Sequence, residues 1–266
     1  MPSSATDPDT AKASGTAAFS KFMAVLQLIA DGAEPQTIPQ LAGACGYPRP
    51  TVYRIVGALI AEGLVVETAR GNTFSLGPRL LTLASRSWER SDLRVAAADA
   101  LQILRDATQE TVHLAVKSGP DMVYIEKLES PHAVRMASRI GTRVTLYSSS
   151  VGKAYLSTLG RAERSALLQN MTLERFTPNT IVERDALDAE LDATAERGYA
   201  EDREENEAQI FCYGSAILDA NGRALACVSI SIPLFRKSAT PLETYVAPLR
   251  ETCRVIGERM GPAAAR

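Results

Sequence analysis

The stretch from Thr37 to Gly77, TIPQLAGACGYPRPTVYRIVGALIAEGLVVETARGNTFSLG, contains two helical patterns separated by a short turn. Thr37 and Gln40 have the spacing of a capping box at the start of the first helix, and Gly46 is placed to end it. Pro50 suits the first turn of the second helix. Two short helices joined this tightly predict a helix-turn-helix. The apolar positions of these helices, and of one that precedes them, recur at helical spacing: Phe19, Phe22, Met23, Leu26 and Ile29, then Ile38, Leu41 and Cys45, then Val52, Ile55, Val56 and Leu59.

After Gly63 the apolar pattern changes from helical to alternating. Residues 64–67 and 74–76 have the pattern of two strands, residues 69–72 that of the turn between them, and Gly77-Pro78 ends the second strand. This hairpin predicts a wing, and therefore a winged helix-turn-helix over residues 18–77. A three-helix bundle whose hairpin contacts nothing is the alternative.

The exposed face of the third predicted helix carries polar and basic side chains opposite its apolar stripe. The N-terminal residues of a recognition helix are those that reach base edges in DNA. Charge adds little support, because residues 18–91 hold seven Lys and Arg against five Asp and Glu. The prediction therefore depends on the architecture. The residues predicted to contact DNA are Lys21, Arg49, Thr51, Tyr53, Arg54 and Arg70.

The composition is that of a globular chain with room for two domains. Of 266 residues, 45% are hydrophobic and 23% are charged. No apolar run approaches the ~20 residues of a transmembrane helix. Residues 1–17 have no apolar core, which predicts a disordered tail and no secretory signal. The four cysteines are widely spaced, so we expect a cytoplasmic protein with no disulfide, metal site or cofactor.

The second half has alternating helical and strand patterns, which predict an α+β sensor domain over residues 92–262. A helix over residues 78–91 is expected to link the two domains, and Trp88 makes it the predicted dimer contact. Asn221-Gly222, between two apolar runs, is the strongest short hairpin signal. Beyond the linker, helices are predicted at 95–108, 152–159, 161–169, 185–197 and 241–260, and strands at 112–116, 123–128, 134–138, 143–147, 209–218 and 224–232.

Five segments together resemble the IclR (isocitrate lyase regulator) family of bacterial transcription factors. They are LAGACGYPRPTVYRIVGALIAEGLV and FSLGPRLLTLAS in the first half, and VGKAYLS, YAEDREENEAQIFCYGSAI and GRALACVSISIP in the second. The resemblance implies a winged helix-turn-helix joined by a linker helix to a GAF-like domain that binds a small effector. It also implies homodimers or tetramers on palindromic operators in double-stranded DNA.

The chain departs from the common family pattern in three places. Pro50 follows Arg49 where a serine is usual, so one hydroxyl contact to phosphate is expected to be missing. Ser150-Val151 stand where Gly-Ala is common, so the pocket floor is expected to be tighter and more polar. The residues that match no family motif are His113, His132 and Arg135.

Three consecutive serines, Ser148, Ser149 and Ser150, precede the predicted helix at Gly152. A helix start offers free N–H groups and the positive end of the helix dipole, and serine hydroxyls add donors. Gly152 would let a ligand approach the backbone. These features predict a carboxylate site, and an ordinary serine N-cap is the alternative. A phosphate-binding P-loop is excluded, because the glycine and hydroxyl residues that flank its lysine are missing around Lys153.

The resemblance also implies which residues line the effector pocket. The positions that match pocket-lining residues of relatives that bind small keto acids are Ser150, Val151, Asp202, Ile210, Cys212, Ser229 and Ser231. Several of them have an ordinary role as the alternative. Asp202 would only pair with Arg203 or Lys153, Cys212 would be a small core residue, and the serines of the last strand would face solvent.

The sequence thus predicts a ligand-responsive regulator of a catabolic operon, with a small aliphatic or aromatic carboxylic acid as effector and no membrane partner. A hydrolase with Cys212 as nucleophile and His113 or His132 as base is one alternative. Cys212 lies in a strand pattern, however, and neither histidine belongs to a motif. A DNA-binding protein without a ligand is the other alternative, and the size of the second half argues against it.

Overall fold

The computed structural model describes residues 16–69, 71–89, 92–134, 136–169 and 171–261. The chain divides into two units between residues 90 and 91. The first helix begins at Thr16, two residues before the predicted domain start, and the rest of the predicted tail lies outside the described residues. Arg70, Arg135 and the side chain of Trp88 also lie outside them.

The described part of the first unit is a winged helix-turn-helix. Its helices are α1 (Thr16–Asp31), α2 (Ile38–Cys45), α3 (Arg49–Ala61) and α4 (Arg79–Glu89). Its strands are β1 (Gln36–Thr37), β2 (Val65–Glu67) and β3 (Thr73–Leu76), in the sheet order β1-β3-β2. The antiparallel pair β2–β3 is the predicted wing. The two residues of β1 are too few to produce a sequence pattern.

Local signals set both ends of α2, as the sequence predicts. The Gln40 side chain accepts a hydrogen bond from the Thr37 N–H at 2.8 Å. Gly46 ends the helix with a φ of 70°, a left-handed conformation that glycine adopts without strain. One apolar cluster then joins α1, α2, α3 and the wing, with these buried residues: Val25, Leu26, Ile29, Leu41, Ala42, Val52, Ile55, Val56, Leu59, Val65 and Phe74.

The second unit is a six-stranded antiparallel sheet with helices on both faces. Its helices are α5 (Asp92–Thr108), α6 (Ser150–Ser157), α7 (Arg161–Gln169), α8 (Arg184–Arg197) and α9 (Ala247–Arg259). Its strands are β4 (Thr111–Ser118), β5 (Asp121–Leu128), β6 (Arg143–Thr145), β7 (Ala200–Arg203), β8 (Ile210–Leu218) and β9 (Ala224–Pro233). The sheet order is β6-β5-β4-β9-β8-β7.

Two apolar clusters cover opposite faces of this sheet. Helices α5 and α9 pack on the face that carries Leu114, Tyr213 and Ile230. Helices α6 and α8 pack on the face that carries Ala115 and Cys227. The alternation of side chains along β4, β8 and β9 thus separates two layers. No described helix is both long and apolar enough to cross a membrane.

The predicted strand over residues 134–138 is wrong for its described residues, which are in irregular structure. The Lys127 ammonium donates hydrogen bonds to the carbonyls of Met136 and Ser138, at 2.8 and 2.7 Å, in place of a strand partner. The predicted strand over residues 143–147 ends at Thr145, because the chain turns there toward α6. Strand β7 was missed, because its sequence AEDR is polar.

Candidate DNA-binding surface and effector pocket

The exposed face of α3 presents most of the residues predicted to contact DNA. Tyr53 is 72% exposed, Arg49 and Arg54 are exposed, and Thr51 is half-buried. Val52, on the opposite side, is fully buried and orients the helix. Neither arginine forms an ion pair with another described residue. Both guanidinium groups are therefore available to phosphate oxygens or to a guanine edge.

Two features flank that face. The Lys21 ammonium in α1 lies 5.6 Å from the centre of the Tyr47 ring, in the turn between α2 and α3. In the wing turn, the Asn72 N–H donates to Glu67 Oε1 at 2.6 Å, which fixes the shape of the turn. Arg70, the predicted phosphate contact of the wing, lies outside the described residues.

In the second unit, a cavity of about 150 Å³ lies between the sheet and the start of α6. The helix approaches the sheet closely at Gly214 in β8, where an added Cβ would lie 2.5 Å from the Ser150 carbonyl oxygen. The cavity is bounded by the start of α6, by residues of all six strands of the sheet, and by the loops that follow β5 and β7. Its lining residues are His113, Tyr124, Met136, Ser138, Thr142, Val144, Ser149, Ser150, Asp202, Asn206, Glu207, Ile210, Cys212 and Ser231.

Ser149 is the N-cap of α6. Its hydroxyl accepts a hydrogen bond from the Gly152 N–H at 3.1 Å and donates one to the Thr145 carbonyl at 2.6 Å. The ordinary N-cap role therefore applies to Ser149. The N–H groups of Ser150 and Val151 belong to the first helical turn and have no partner within the helix. They leave the positive end of the α6 dipole at the cavity.

Asp202, at the end of β7, organises the loop that closes one side of the cavity. Its Oδ1 atom accepts hydrogen bonds from the N–H groups of Glu205 and Asn206, at 2.7 and 3.2 Å. The side chain is only 3% exposed. Burial raises the pKa of the Asp202 carboxyl to about 7 despite these hydrogen bonds, because the ionised form loses its hydration. Neither alternative ion-pair partner, Arg203 or Lys153, lies within salt-bridge distance of it.

Lys153 is fully buried behind the pocket wall and pairs with Glu205 instead. Its ammonium lies 2.5 Å from Glu205 Oε1 and 3.8 Å from Glu190 Oε1. Arg197 holds Glu190 at 2.6 Å. The second carboxylate oxygen of Glu205, Oε2, is buried without a hydrogen-bond partner in the described structure. This network connects α6, α8 and the β7–β8 loop.

His113 forms the opposite wall. Its ring stacks on Tyr124 with centroids 4.2 Å apart, and its Nε2 atom lies 2.7 Å from the Ser138 hydroxyl. Burial lowers the pKa of His113 to about 3, so the imidazole is neutral at physiological pH. On the other side of the ring, Nδ1 lies 3.5 Å from the hydroxyl of Ser231, to which the Cys212 thiol donates at 3.3 Å.

Six residues of the predicted effector site line the cavity: Ser149, Ser150, Asp202, Ile210, Cys212 and Ser231. Four others do not. The Ser148 hydroxyl donates to Asn206 Oδ1 at 3.0 Å, and the Val151 side chain is in the apolar core below α6. Ser229 lies deeper on the same sheet face, and its buried hydroxyl has no partner in the described structure.

Gly152 is required for a different reason from the one predicted. A Cβ at this position would lie 2.4 Å from the Thr145 carbonyl oxygen and 2.5 Å from Leu146 Cα. The glycine therefore lets α6 pack against the preceding backbone, and it does not open the backbone to a ligand.

The sequence did not predict that His113 and residues of the loops after β5 and β7 line the cavity. His113 pairs with Ser229 across β4–β9, and Ser231 pairs with Cys212 across β8–β9. Paired residues share one face of a sheet, so the strand register could have placed His113 beside the predicted serines. The register is a long-range property that a strand pattern alone does not fix.

The chain of Cys212, Ser231 and His113 does not activate a nucleophile. Complete burial raises the pKa of the Cys212 thiol well above its ordinary value, and the nearby Asp202 carboxylate raises it further. A reactive cysteine needs the opposite environment, one that favours the thiolate. The thiol is therefore a soft wall of the cavity.

Comparisons with known proteins match this architecture in both units. The IclR helix-turn-helix domain matches residues 19–69, and the bacterial transcriptional regulator IclR C-terminal domain matches residues 86–258. The HTH-type transcriptional regulator KdgR of Escherichia coli is 34% identical over 241 residues, covering 91% of each chain. The transcriptional repressor AllR of the same species is 28% identical over 93% of this chain and 91% of its own. The crystal structure of Thermotoga maritima IclR superposes with a TM-score of 0.72 at 31% identity, covering 92% of this chain and 99% of that one.

Fold and surface thus define a winged-helix DNA-binding protein with a separate effector domain. The chain belongs to the IclR family of bacterial transcriptional regulators.

Proposed function

We propose that this chain is a ligand-responsive regulator that binds an operator beside catabolic genes and senses a small carboxylic acid. Its relatives are regulators and repressors of transcription by name. The observation that carries the sensing role is the cavity at the start of α6, which Ser149 and Ser150 line. Oriented N–H groups at a helix start favour an anion.

The size of the cavity favours an aliphatic effector over an aromatic one. An engineered cavity of about 150 Å³ in another protein holds benzene, a molecule of six heavy atoms. An aromatic acid with a carboxylate and a hydroxyl has ten. A keto or hydroxy acid of three to five carbons fits a space of about 150 Å³ without displacing the wall formed by His113 and Tyr124.

Operator binding is proposed to need at least a dimer. One recognition helix reads only a few base pairs, and helix-turn-helix dimers read two half-sites. Helix α4 has a suitable apolar surface, since Leu81 and Leu83 are 75% and 53% exposed. We expect a dimer or a tetramer by analytical ultracentrifugation. A monomer at micromolar concentration with full operator affinity would contradict the proposal.

We predict that the effector carboxylate is essential for binding. Pyruvate, glyoxylate, lactate and propionate would be compared with their amides by calorimetric titration of the full chain. At least one acid is expected to bind, and its amide at least tenfold more weakly, because the amide loses the charge that the α6 dipole favours. Ser150→Ala is expected to weaken the acid several-fold. An amide that binds as tightly as its acid would exclude an anion site.

We predict different roles for the two arginines at the start of α3. Arg54→Ala should cost about 1–3 kcal/mol of operator affinity, concentrated at one base pair, if Arg54 forms a fork with guanine. Arg49→Ala should weaken all sequences alike and lower the salt dependence, as expected for a phosphate contact. Fluorescence anisotropy with a duplex selected from random DNA measures both effects.

Arg54→Lys is the matched control, because it keeps the charge and removes the planar fork. It should retain non-specific binding and lose discrimination at that base pair. Unchanged affinity of a folded Arg54→Ala protein would remove Arg54 from the interface.

A further inference from the structure

The buried charges around Asp202 do not balance. Glu190 and Glu205 pair with two cations, Lys153 and Arg197. Asp202 adjoins this network by accepting a hydrogen bond from the Glu205 N–H, so three carboxylates face two cations. Each cation is already within 2.6 Å of a glutamate, and Asp202 has no cation of its own among the described residues. An uncompensated buried charge is costly, so the network is most stable when one carboxyl holds a proton.

Asp202 is the carboxyl that keeps the proton. Glu205 contacts the Lys153 ammonium directly, whereas Asp202 receives only backbone N–H groups on Oδ1. Its other oxygen, Oδ2, makes none of these hydrogen bonds, and the residue lines the cavity. The titratable and charged groups around Asp202 are Lys153 on α6, Glu190 and Arg197 on α8, Glu205 and Glu207 in the β7–β8 loop, Cys212 on β8, His113 on β4 and Tyr124 on β5.

The groups on the far side of the cavity do not compensate Asp202. His113 is neutral, and burial keeps the Tyr124 hydroxyl and the Cys212 thiol protonated. The remaining acidic residue of the lining, Glu207, is exposed. An anionic ligand that enters the cavity therefore adds negative charge to a region that already has too much.

We infer that Asp202 binds the effector carboxylate as a neutral carboxylic acid, donating a hydrogen bond from Oδ2, so that binding above neutral pH takes up one proton from solvent. This inference rests on the proposed function and extends it to the ligand class. The described lining contains two acidic residues and no lysine or arginine. Among these described residues a second carboxylate on the ligand would find no cation to pair with, which favours a monocarboxylate effector.

The pH dependence follows from the sign of the linkage. Burial raises the pKa of Asp202 to about 7 in the free protein, and a bound carboxylate raises it further because like charges repel. Below pH 7 the residue is already protonated and affinity is constant. Above pH 7 the proton must be acquired on binding, so affinity falls about tenfold per pH unit and about 30-fold between pH 6 and 8.5.

Calorimetry on the full chain tests this directly. An acid that binds in the panel of pyruvate, glyoxylate, lactate and propionate is titrated at pH 8 in HEPES and in Tris, whose ionisation enthalpies differ. The dependence of the observed enthalpy on the buffer gives the protons taken up, and we expect about 0.9 per ligand from a pKa of about 7. At pH 6 the uptake is expected to fall to about 0.1.

The variant Asp202→Asn removes the titratable proton. Its amide keeps an oxygen that accepts from the loop N–H groups and an NH2 group that donates to the ligand. We expect no proton uptake and an affinity between pH 6 and 8.5 that stays within about threefold of the wild-type value at pH 6. Glu196→Gln is the matched control, because it removes one negative charge at an exposed position of α8 outside the cavity lining, and it should keep the wild-type pH dependence.

The outcomes separate the two claims. Binding of an acid without proton uptake by the wild-type protein would overturn the role of Asp202 and leave the proposed function intact. Proton uptake that persists in Asp202→Asn would also overturn the role of Asp202 and leave the proposed function intact. If no acid in the panel binds, the proposed effector class fails, and the inference falls with it. Should Asp202→Asn fail to fold, the wild-type proton count remains a test, because the absence of proton uptake would overturn the role of Asp202.

Discussion

Lys153→Met is expected to destabilise the second unit by about 3–5 kcal/mol, since removing one partner of a buried ion pair leaves an uncompensated charge. Lys153 is fully buried and its ammonium is 2.5 Å from Glu205. In the variant, Arg197 would still pair with Glu190, and Glu205 would have no cation within salt-bridge distance among the described residues. Urea unfolding monitored by circular dichroism measures the loss of unfolding free energy.

The loss is expected to be smaller at pH 5 than at pH 8. Burial already raises the pKa of Glu205, and removing the nearby ammonium raises it more, so the carboxyl of the variant becomes neutral by binding a proton as the pH falls. The double variant Lys153→Met/Glu205→Gln is the control, and it should recover much of the stability. A single variant within about 1 kcal/mol of wild type would show that the pair contributes little.

Gly152→Ala is expected to cost about 1–3 kcal/mol or more and to remove effector binding. The new methyl group would meet backbone atoms of Thr145 and Leu146 at 2.4–2.5 Å, which cannot move aside as a flexible side chain would. Helix α6 must then shift away from the chain before it, and its N–H groups lose their position at the cavity. Thermal unfolding and calorimetric titration with the bound acid measure the two effects.

Gly160→Ala is the matched control in the same unit. A Cβ at Gly160 has no neighbour within 4 Å, and its backbone conformation does not require glycine. This variant should keep its stability and effector affinity. If Gly152→Ala behaves in the same way, the close packing of α6 is not needed for the site.

The first unit was predictable from sequence because its signals are local. The capping residues of α2, Gly46 and the apolar stripe of α3 each act within a few residues, and the structure confirms all three. The Asn221-Gly222 hairpin and the end of the helix predicted over residues 185–197 were correct for the same reason. The alternating helix and strand patterns predicted the α+β class of the second unit, and the family resemblance implied its GAF-like fold.

The cavity at the start of α6 was only partly predictable because it is assembled by long-range contacts. The sequence shows His113 as an isolated residue, and only the pairing of β4 with β9 brings it to the serines. The pattern of residues 134–138 predicted a strand, but in the structure Lys127 donates hydrogen bonds to two carbonyls of this loop. The sequence did not indicate that Gly152 is needed for close packing against Thr145 and Leu146, since a pattern does not tell which neighbour comes close.

An acid bound in the second unit is expected to change DNA binding by the first. The measurement is fluorescence anisotropy of the full chain with a duplex selected from random DNA, with and without a saturating concentration of the acid identified by calorimetry. We expect sequence-specific binding and a change in operator affinity of at least tenfold, equivalent to about 1.4 kcal/mol of coupling free energy. Equal operator affinity with and without the bound acid would contradict the account, as would the absence of any preferred sequence.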